Sequence, residues 1–407
     1  MTPADRPAAG RRSLPPWPFA PAVFADPAPT YARWRECGPV VRDPDHDAWV
    51  VSGYRPLTAI LRSEHTSVAP VMSAADLGAG HPELGTPVAR TLERMAIFRN
   101  PPHHRPLRLA LQPAFGVDGL RRVRQPLGER AAALVDDALG RTPGAAPTNL
   151  MTLCEQATTD VLDTLCGLPG GAGPELREVW RAVSASVDRP GTPIPAQTPA
   201  LVLSLHEALF RVIAGAGAGE RPIDIYARQV RALGLDPLDA AVNLLLVLTS
   251  GHRSLVQTMA LALHTLVSDP RQQQLLRDDR SLVPAAIDEL LRWDGSVQLT
   301  TRTATRDLDL GDVTIGEGEL IVLLLGGAHR DPAHFDHADA LDVTRPPRRH
   351  VAFGRGAHFC PGATLARMTM TEVITHLLHR TTRLELAAAP EWHETRRGVA
   401  DLQVVAR

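Results

Sequence analysis

The stretch Phe353–Gly362, FGRGAHFCPG, places a cysteine, a histidine and three glycines within ten residues. A cysteine that binds a metal does so as thiolate, which requires a lowered thiol pKa. The residues around Cys360 are of the types that provide it. Pro361 is a favoured first helical residue, so a helix is expected to start just behind the sulfur. The N-terminal N–H groups and partial positive charge of that helix would then face the sulfur. Gly354 and Gly356 permit tight turns and the close approach of backbone to a flat ligand. Gly362 lets the following helix lie against the same ligand, and Phe353 can shield the sulfur from water. A lone cysteine in a glycine-rich turn is ordinarily just a buried thiol, but the full spacing favours a metal thiolate. Cys37, Cys154 and Cys166 form no C-x-x-C pair, which argues against a zinc ribbon or redox dithiol. Four cysteines are too few for a disulfide framework, and free thiols in a reducing cytosol are the simpler reading.

The elements that must position Cys360 are mainly helical. A final helix is expected from Pro361 to His379. Pro237–Val267 is the longest helical candidate, apolar nearly all round in its first half and therefore buried, with Gly251 and Ser254 interrupting its middle. Leu120–Leu139 and Leu150–Gly167 carry apolar residues at three- and four-residue spacing. Gly170–Pro174 and Asp188–Pro199 read as loops. Residues 68–98 read as a long loop with short helices, and residues 1–20 as a loose arm ordered near Trp17. Ala48–Tyr54 (AWVVSGY) reads as a strand and turn. After Arg302 the period shortens, and Asp307–Leu310, Val313–Ile315 and Glu319–Leu325 are expected as strands. The fold class is mainly α with a small β region, read as one domain over residues 1–407.

The chain of 407 residues can bury a large core. Its 44% apolar and 22% charged residues are ordinary for a globular protein. A net charge of −2 gives no argument for nucleic acid or an anionic membrane. The N-terminus lacks the apolar stretch of a signal peptide, and no segment reads as the roughly 20 apolar residues of a membrane span. A cytoplasmic protein is expected.

F-G-x-G-x-H-x-C-x-G resembles the cytochrome P450 signature, with every fixed position present. The resemblance covers roughly residues 50–380. It implies the P450 fold and haem b (iron protoporphyrin IX), with Cys360 as the iron ligand. Phe353, Gly354 and Gly362 would lie beside the haem, and His358 would meet a propionate. Asn100–Arg108 (NPPHHRPLR) resembles the family's D-P-P-x-H-x-x-x-R, with Asn100 in place of Asp. His104 and Arg108 would then grip a propionate, and Arg302 matches another such contact; arginine's fork of donors suits carboxylates. Glu289 and Arg292, three apart on one helix face, match a family pair that is joined by an arginine, here Arg345. Ala328–Pro332 (AHRDP) resembles A-N-R-D-P, with His329 in place of Asn.

The long helix departs from the family's A-G-x-D/E-T-T. Gly251 is kept after Ser250, but Arg253 replaces the acid and Ser254 the threonine. The family uses that acid and alcohol to deliver protons during oxygen activation. Ser254 offers a hydroxyl, whereas Arg253 stays protonated. By resemblance, the substrate pocket would include Leu246, Thr249, Ser250, Val297, Gln298 and Leu299. The implied function is a monooxygenase, acting as a monomer on a small natural-product intermediate with dioxygen. Ferredoxin and ferredoxin reductase would supply electrons, with Arg105, Arg348, Arg349 and Arg355 meeting the acidic partner. The alternatives are a peroxygenase using hydrogen peroxide, oxidative coupling of aromatic rings without oxygen insertion, and a catalytically silent domain that docks a carrier protein.

Overall fold

In a computed structural model, the longest described helix runs unbroken over Pro237–Ser268. The structure describes residues 14–68, 82–140, 146–166, 178, 197–394 and 396–407. Asp236 caps the helix by accepting from the Leu238 and Asp239 N–H groups, and Pro237 opens it. The expected interruption does not occur. The Ser254 hydroxyl donates to the Ser250 carbonyl at 2.6 Å and so satisfies itself within the helix. A Cβ on Gly251 would stand an ordinary 3.5 Å from Leu162, so packing does not demand the glycine.

This helix joins two cores. Its first half, from Ala240 to Leu248, packs with the helices His104–Phe115, Thr198–Gly215 and Pro222–Ala232. Its second half, from Leu255 to Val267, packs with Arg124–Leu139, Leu150–Cys166, Val283–Asp294 and Ala363–Arg380. Between them, Ser250–Ser254 are only half-buried.

A five-stranded sheet flanks the helices, in the order Val40–Asp43, Ala48–Val51, Leu320–Leu324, Leu299–Ala304, Thr66–Ser67. Ala48–Val51 runs parallel to Leu320–Leu324, and Leu299–Ala304 runs antiparallel to it with Arg302 opposite Ile321. The strands expected near Leu308, Thr314 and Leu320 are present, the first two as a short hairpin.

Several expected boundaries are corrected. Thr198 and Pro199, read as loop, open the helix Thr198–Gly215, because proline is tolerated in a first turn. By length and composition that helix could cross a membrane, contrary to the sequence reading. It nevertheless packs Val202, Leu205, Leu209 and Ile213 into the second core. Within residues 68–98 a helix runs over Pro82–Arg94. The final helix begins at Ala363 with Gly362 as its cap, two residues later than expected. Gly170–Pro174 lies outside the described residues.

Glu289, Arg292 and Arg345 meet as expected. Arg292 Nε and Nη2 donate to the two Glu289 carboxylate oxygens at 2.6 and 2.7 Å, and its Nη1 reaches the His329 and Ala338 carbonyls at 2.8 Å. Arg345 Nε lies 3.1 Å from Glu289 Oε1. Glu289 and Arg292 are 4% and 2% exposed. Removing one member leaves buried charge unopposed. Glu289→Gln is therefore expected to cost about 3–5 kcal/mol in chemical denaturation of the intact protein, and a loss below about 1 kcal/mol would contradict the buried geometry.

Candidate active site

The Cys360 loop is folded on itself by backbone bonds. Gly354 N–H donates to the Val351 carbonyl at 2.8 Å, and Cys360 N–H donates to the Phe353 carbonyl at 2.9 Å. Gly354 and Gly356 take φ of +68° and +71°, a region that disfavours any side chain. A Cβ on Gly356 would also lie 2.4 Å from the Leu61 carbonyl oxygen. The glycines are thus required by geometry, as expected. Gly362 sits beside the sulfur, where a Cβ would stand 3.9 Å from Cys360 Sγ. Burial pushes the Cys360 thiol up, while the Gly362 N–H and the charges of Arg108 and Arg367 pull it down. Cys154 and Cys166 are also pushed up by burial, with no cation opposing it.

Four bases converge beside this loop. The His104 and His358 rings lie 4.1 Å apart, centroid to centroid. His104 is buried on the helix His104–Phe115, with Arg108 one turn on, and Arg302 is buried on its strand. His358 is pulled down to about 3 by burial and by His104, Arg302 and Arg108. Burial lowers Arg302 to about 10, and burial and Arg108 lower His104. Among the described residues no ion pair joins any of the four. Arg302 Nη1 turns to the Thr301 carbonyl at 2.6 Å and the Thr300 hydroxyl at 3.3 Å. A part-buried set of bases without a counter-charge suits a ligand that carries carboxylates. Asn100 fastens the preceding turn, accepting from Val68 N–H at 3.0 Å and donating to Ser67 Oγ at 2.8 Å.

On the long helix, the charge of Arg253 is felt by His393, in the turn between Glu391–Trp392 and Val399–Asp401. Ser254 is tied in by a link absent from the sequence reading: Ser296 Oγ donates to the Ser254 carbonyl at 3.3 Å and lies 2.7 Å from Thr258 Oγ1. Leu246, Ser250 and Leu299 are half-buried and Val297 is exposed. Thr249 is buried, with its hydroxyl returned to the Leu245 carbonyl at 2.7 Å. Gln298 is buried and donates to the Gly295 carbonyl at 2.6 Å. Arg348, Arg349 and Arg355 share a cleft of 280 Å³ with Tyr54, Arg62 and His334, and Arg105 does not line it.

A family model for cytochrome P450 matches residues 229–386. The 20-oxo-5-O-mycaminosyltylactone 23-monooxygenase of Streptomyces fradiae is 31% identical, over 92% of this chain and 86% of its own length. The chain belongs to the cytochrome P450 family. Cytochrome P450 monooxygenase PikC of Streptomyces venezuelae is likewise 31% identical, over 90% of this chain and 86% of its own. The crystal structure of P450BioI, in complex with acyl carrier protein ligated to hexadec-9Z-enoic acid, superposes with a TM-score of 0.84. That likeness is 25% identical and covers 95% of this chain and all of that one. The P450 fold is therefore established, and the protein is a haem-thiolate monooxygenase acting on small molecules.

This P450 also shows what the motif matches alone did not reveal. His329, in place of the family's asparagine, accepts the Val351 N–H on Nε2 at 3.0 Å and so holds the start of the cysteine loop. Arg367, Asp288 and His350 form a charged group behind the same loop. Arg367 follows Cys360 by seven positions and Asp288 directly precedes Glu289, so proximity to known motifs was the available signal. Burial, with His350, Arg292 and Arg330, holds His329 well below the usual 6.5. The folded state therefore keeps His329 neutral, while the unfolded chain takes up a proton below about 6.5. The stability present above 6.5 is lost as pH falls toward the depressed folded value, by up to about 1.4 kcal/mol per unit. Denaturation curves between pH 7 and 5 should show a smaller slope in His329→Asn than in wild type. Equal slopes would contradict this role.

Proposed function

We propose that this P450 binds haem b with Cys360 as the iron ligand and oxidises a small natural-product intermediate. The observation that carries the proposal is the group of four unopposed bases beside the Cys360 loop. In this reading His104, Arg108, Arg302 and His358 hold the two propionates, and Phe353, Gly354 and Gly362 form the wall around the sulfur. An incoming metal displaces the thiol proton. Bound haem supplies the oxidising chemistry, and thiolate ligation favours O–O cleavage.

The chain's own part is orientation and proton handling. Ser254 Oγ, held one turn from Ser250, can both accept and donate a proton. It takes the place of the family's threonine beside Gly251. Arg253 can only donate; its charge adds, after burial and Arg396, to the lowering of His393, which supports a placement toward the C-terminal turn. Leu246, Thr249, Ser250, Val297, Gln298 and Leu299 are assigned to the substrate pocket. The mix of apolar side chains and a few polar groups is ordinary for ligand sites. The names of two relatives, a 20-oxo-5-O-mycaminosyltylactone 23-monooxygenase and a nocardicin C N-oxygenase, support the substrate class. A ferredoxin, reduced by its reductase, is assigned as electron donor. The arginine cleft with Arg348, Arg349 and Arg355, aided by Arg105, offers it a positive face. We read the chain as one catalytic domain, monomeric and cytoplasmic.

The test is spectroscopic. Cys360→Ala should abolish the thiolate-type CO-bound spectrum and oxygenase activity, whereas Ala at Cys37, Cys154 and Cys166 should leave both intact. An unaltered spectrum in Cys360→Ala would remove the assignment.

A further inference from the structure

A clamped cation lies behind the cysteine loop. Arg367, in the second turn of the helix Ala363–Arg380, donates from Nε to Asp288 Oδ1 at 2.7 Å. The same oxygen lies 2.9 Å from His350 Nε2. On its other side the Arg367 guanidinium lies 4.6 Å from the centroid of the Phe353 ring, within cation–π range. The His350 ring stands 5.9 Å from the same ring. Three elements thus hold one guanidinium: the helix Val283–Asp294 through Asp288, the loop through Phe353, and the arginine's own helix. Phe353 also accepts the Cys360 N–H, so the clamp is joined to the backbone that places the sulfur.

Two cations bear on the Cys360 loop. Arg367 is seated on the Phe353 ring, and the carbonyl of that residue accepts the Cys360 N–H at 2.9 Å. Arg108 lies in the base cluster beside the loop, and both pull the thiol down against its burial. They differ in their surroundings. Arg108 belongs to the base cluster assigned to the propionates, which would offset its charge once bound. Arg367 lies outside that cluster and faces one carboxylate, Asp288, which is about a quarter exposed. Burial opposes ionisation of Asp288, but hydrogen bonds and charge from His350 and Arg367 hold its carboxyl below the usual range. Arg367 and Asp288 therefore form a fixed dipole next to the proximal loop.

We propose that Arg367 is a positioning residue that sets how much negative charge the Cys360 sulfur keeps, with Asp288 limiting its pull. This rests on Cys360 being the iron ligand. A fixed cation near a thiolate draws electron density from the metal–sulfur bond and favours the reduced metal. Removing the cation favours the ferric state. Removing the Asp288 charge leaves the cation unopposed and favours the ferrous state. A brace with no electrostatic part would not give opposite signs.

The experiment uses the haem-loaded full chain as wild type, Arg367→Gln, Arg367→Lys and Asp288→Asn. The ferric/ferrous midpoint potential is measured by spectroelectrochemistry, with the CO-bound spectrum recorded for each. Arg367→Gln should shift the equilibrium about tenfold toward ferric, about 59 mV for one electron. Asp288→Asn should shift it in the opposite direction, and Arg367→Lys, which keeps the charge, should stay nearer wild type than the Gln variant. Shifts of the same sign in Arg367→Gln and Asp288→Asn, or no shift in either, overturn the proposal. Should Arg367→Gln fail to hold haem, Asp288→Asn decides: a potential at or below wild type overturns it. A wild-type protein without a thiolate-type CO spectrum would instead remove the Cys360 reading on which the proposal stands.

Discussion

His104, Arg108, Arg302 and His358 come from a helix, a strand and a loop far apart in the chain, yet the fold collects them with no ion pair to a carboxylate among the described residues. The two guanidiniums, placed together in a part-buried site, repel and lose hydration, and burial with their charge holds the two histidines toward the neutral form. That arrangement persists only because the elements carrying it are fixed by other means. The strand that bears Arg302 is pinned between two neighbours in the sheet. The loop that bears His358 is pinned by two left-handed glycines and by His329 beneath Val351. The buried Glu289–Arg292–Arg345 group ties the chain leading into that loop to the helix Val283–Asp294. The polypeptide alone therefore presents two guanidiniums and two neutral imidazoles side by side in a part-buried site, which is the arrangement that the proposed cofactor carboxylates would relieve.

The long helix is built on a different constraint. Its two halves are committed to separate cores, and Ser250–Ser254 is its longest run of partly uncovered residues. Gly251, Arg253 and Ser254 fall in that run, between the two packed halves. Ser254 keeps its hydroxyl bonded along the helix, so the helix stays continuous where the sequence suggested a break.

How much of this was legible in the sequence depends on the range over which each feature is determined. The Cys360 loop was legible because its requirements are local: positive φ at Gly354 and Gly356, and room beside the sulfur at Gly362. The long helix was legible from its apolar run, although a break was expected at Gly251 and Ser254. The strand Leu299–Ala304 was missed, because its threonines fit a loop equally well and pairing with Leu320–Leu324 decides it. The helix Thr198–Gly215 was missed because its first two residues were read as the end of the loop Asp188–Pro199, whereas a first-turn N–H has no intrahelical partner for proline to remove. The link between Asp288 and Arg367 spans 79 residues and has no local pattern at all.

The account depends most on the four bases receiving the carboxylates of the cofactor. Haem dissociation from wild type and from the His104→Ala plus Arg302→Ala double variant, measured by transfer to an acceptor protein, addresses this directly. Each charged hydrogen bond is worth about 1.5–3 kcal/mol, so the double variant should release haem at least about a hundredfold more readily while keeping a thiolate-type CO spectrum. Haem held as tightly in the double variant as in wild type would contradict the account.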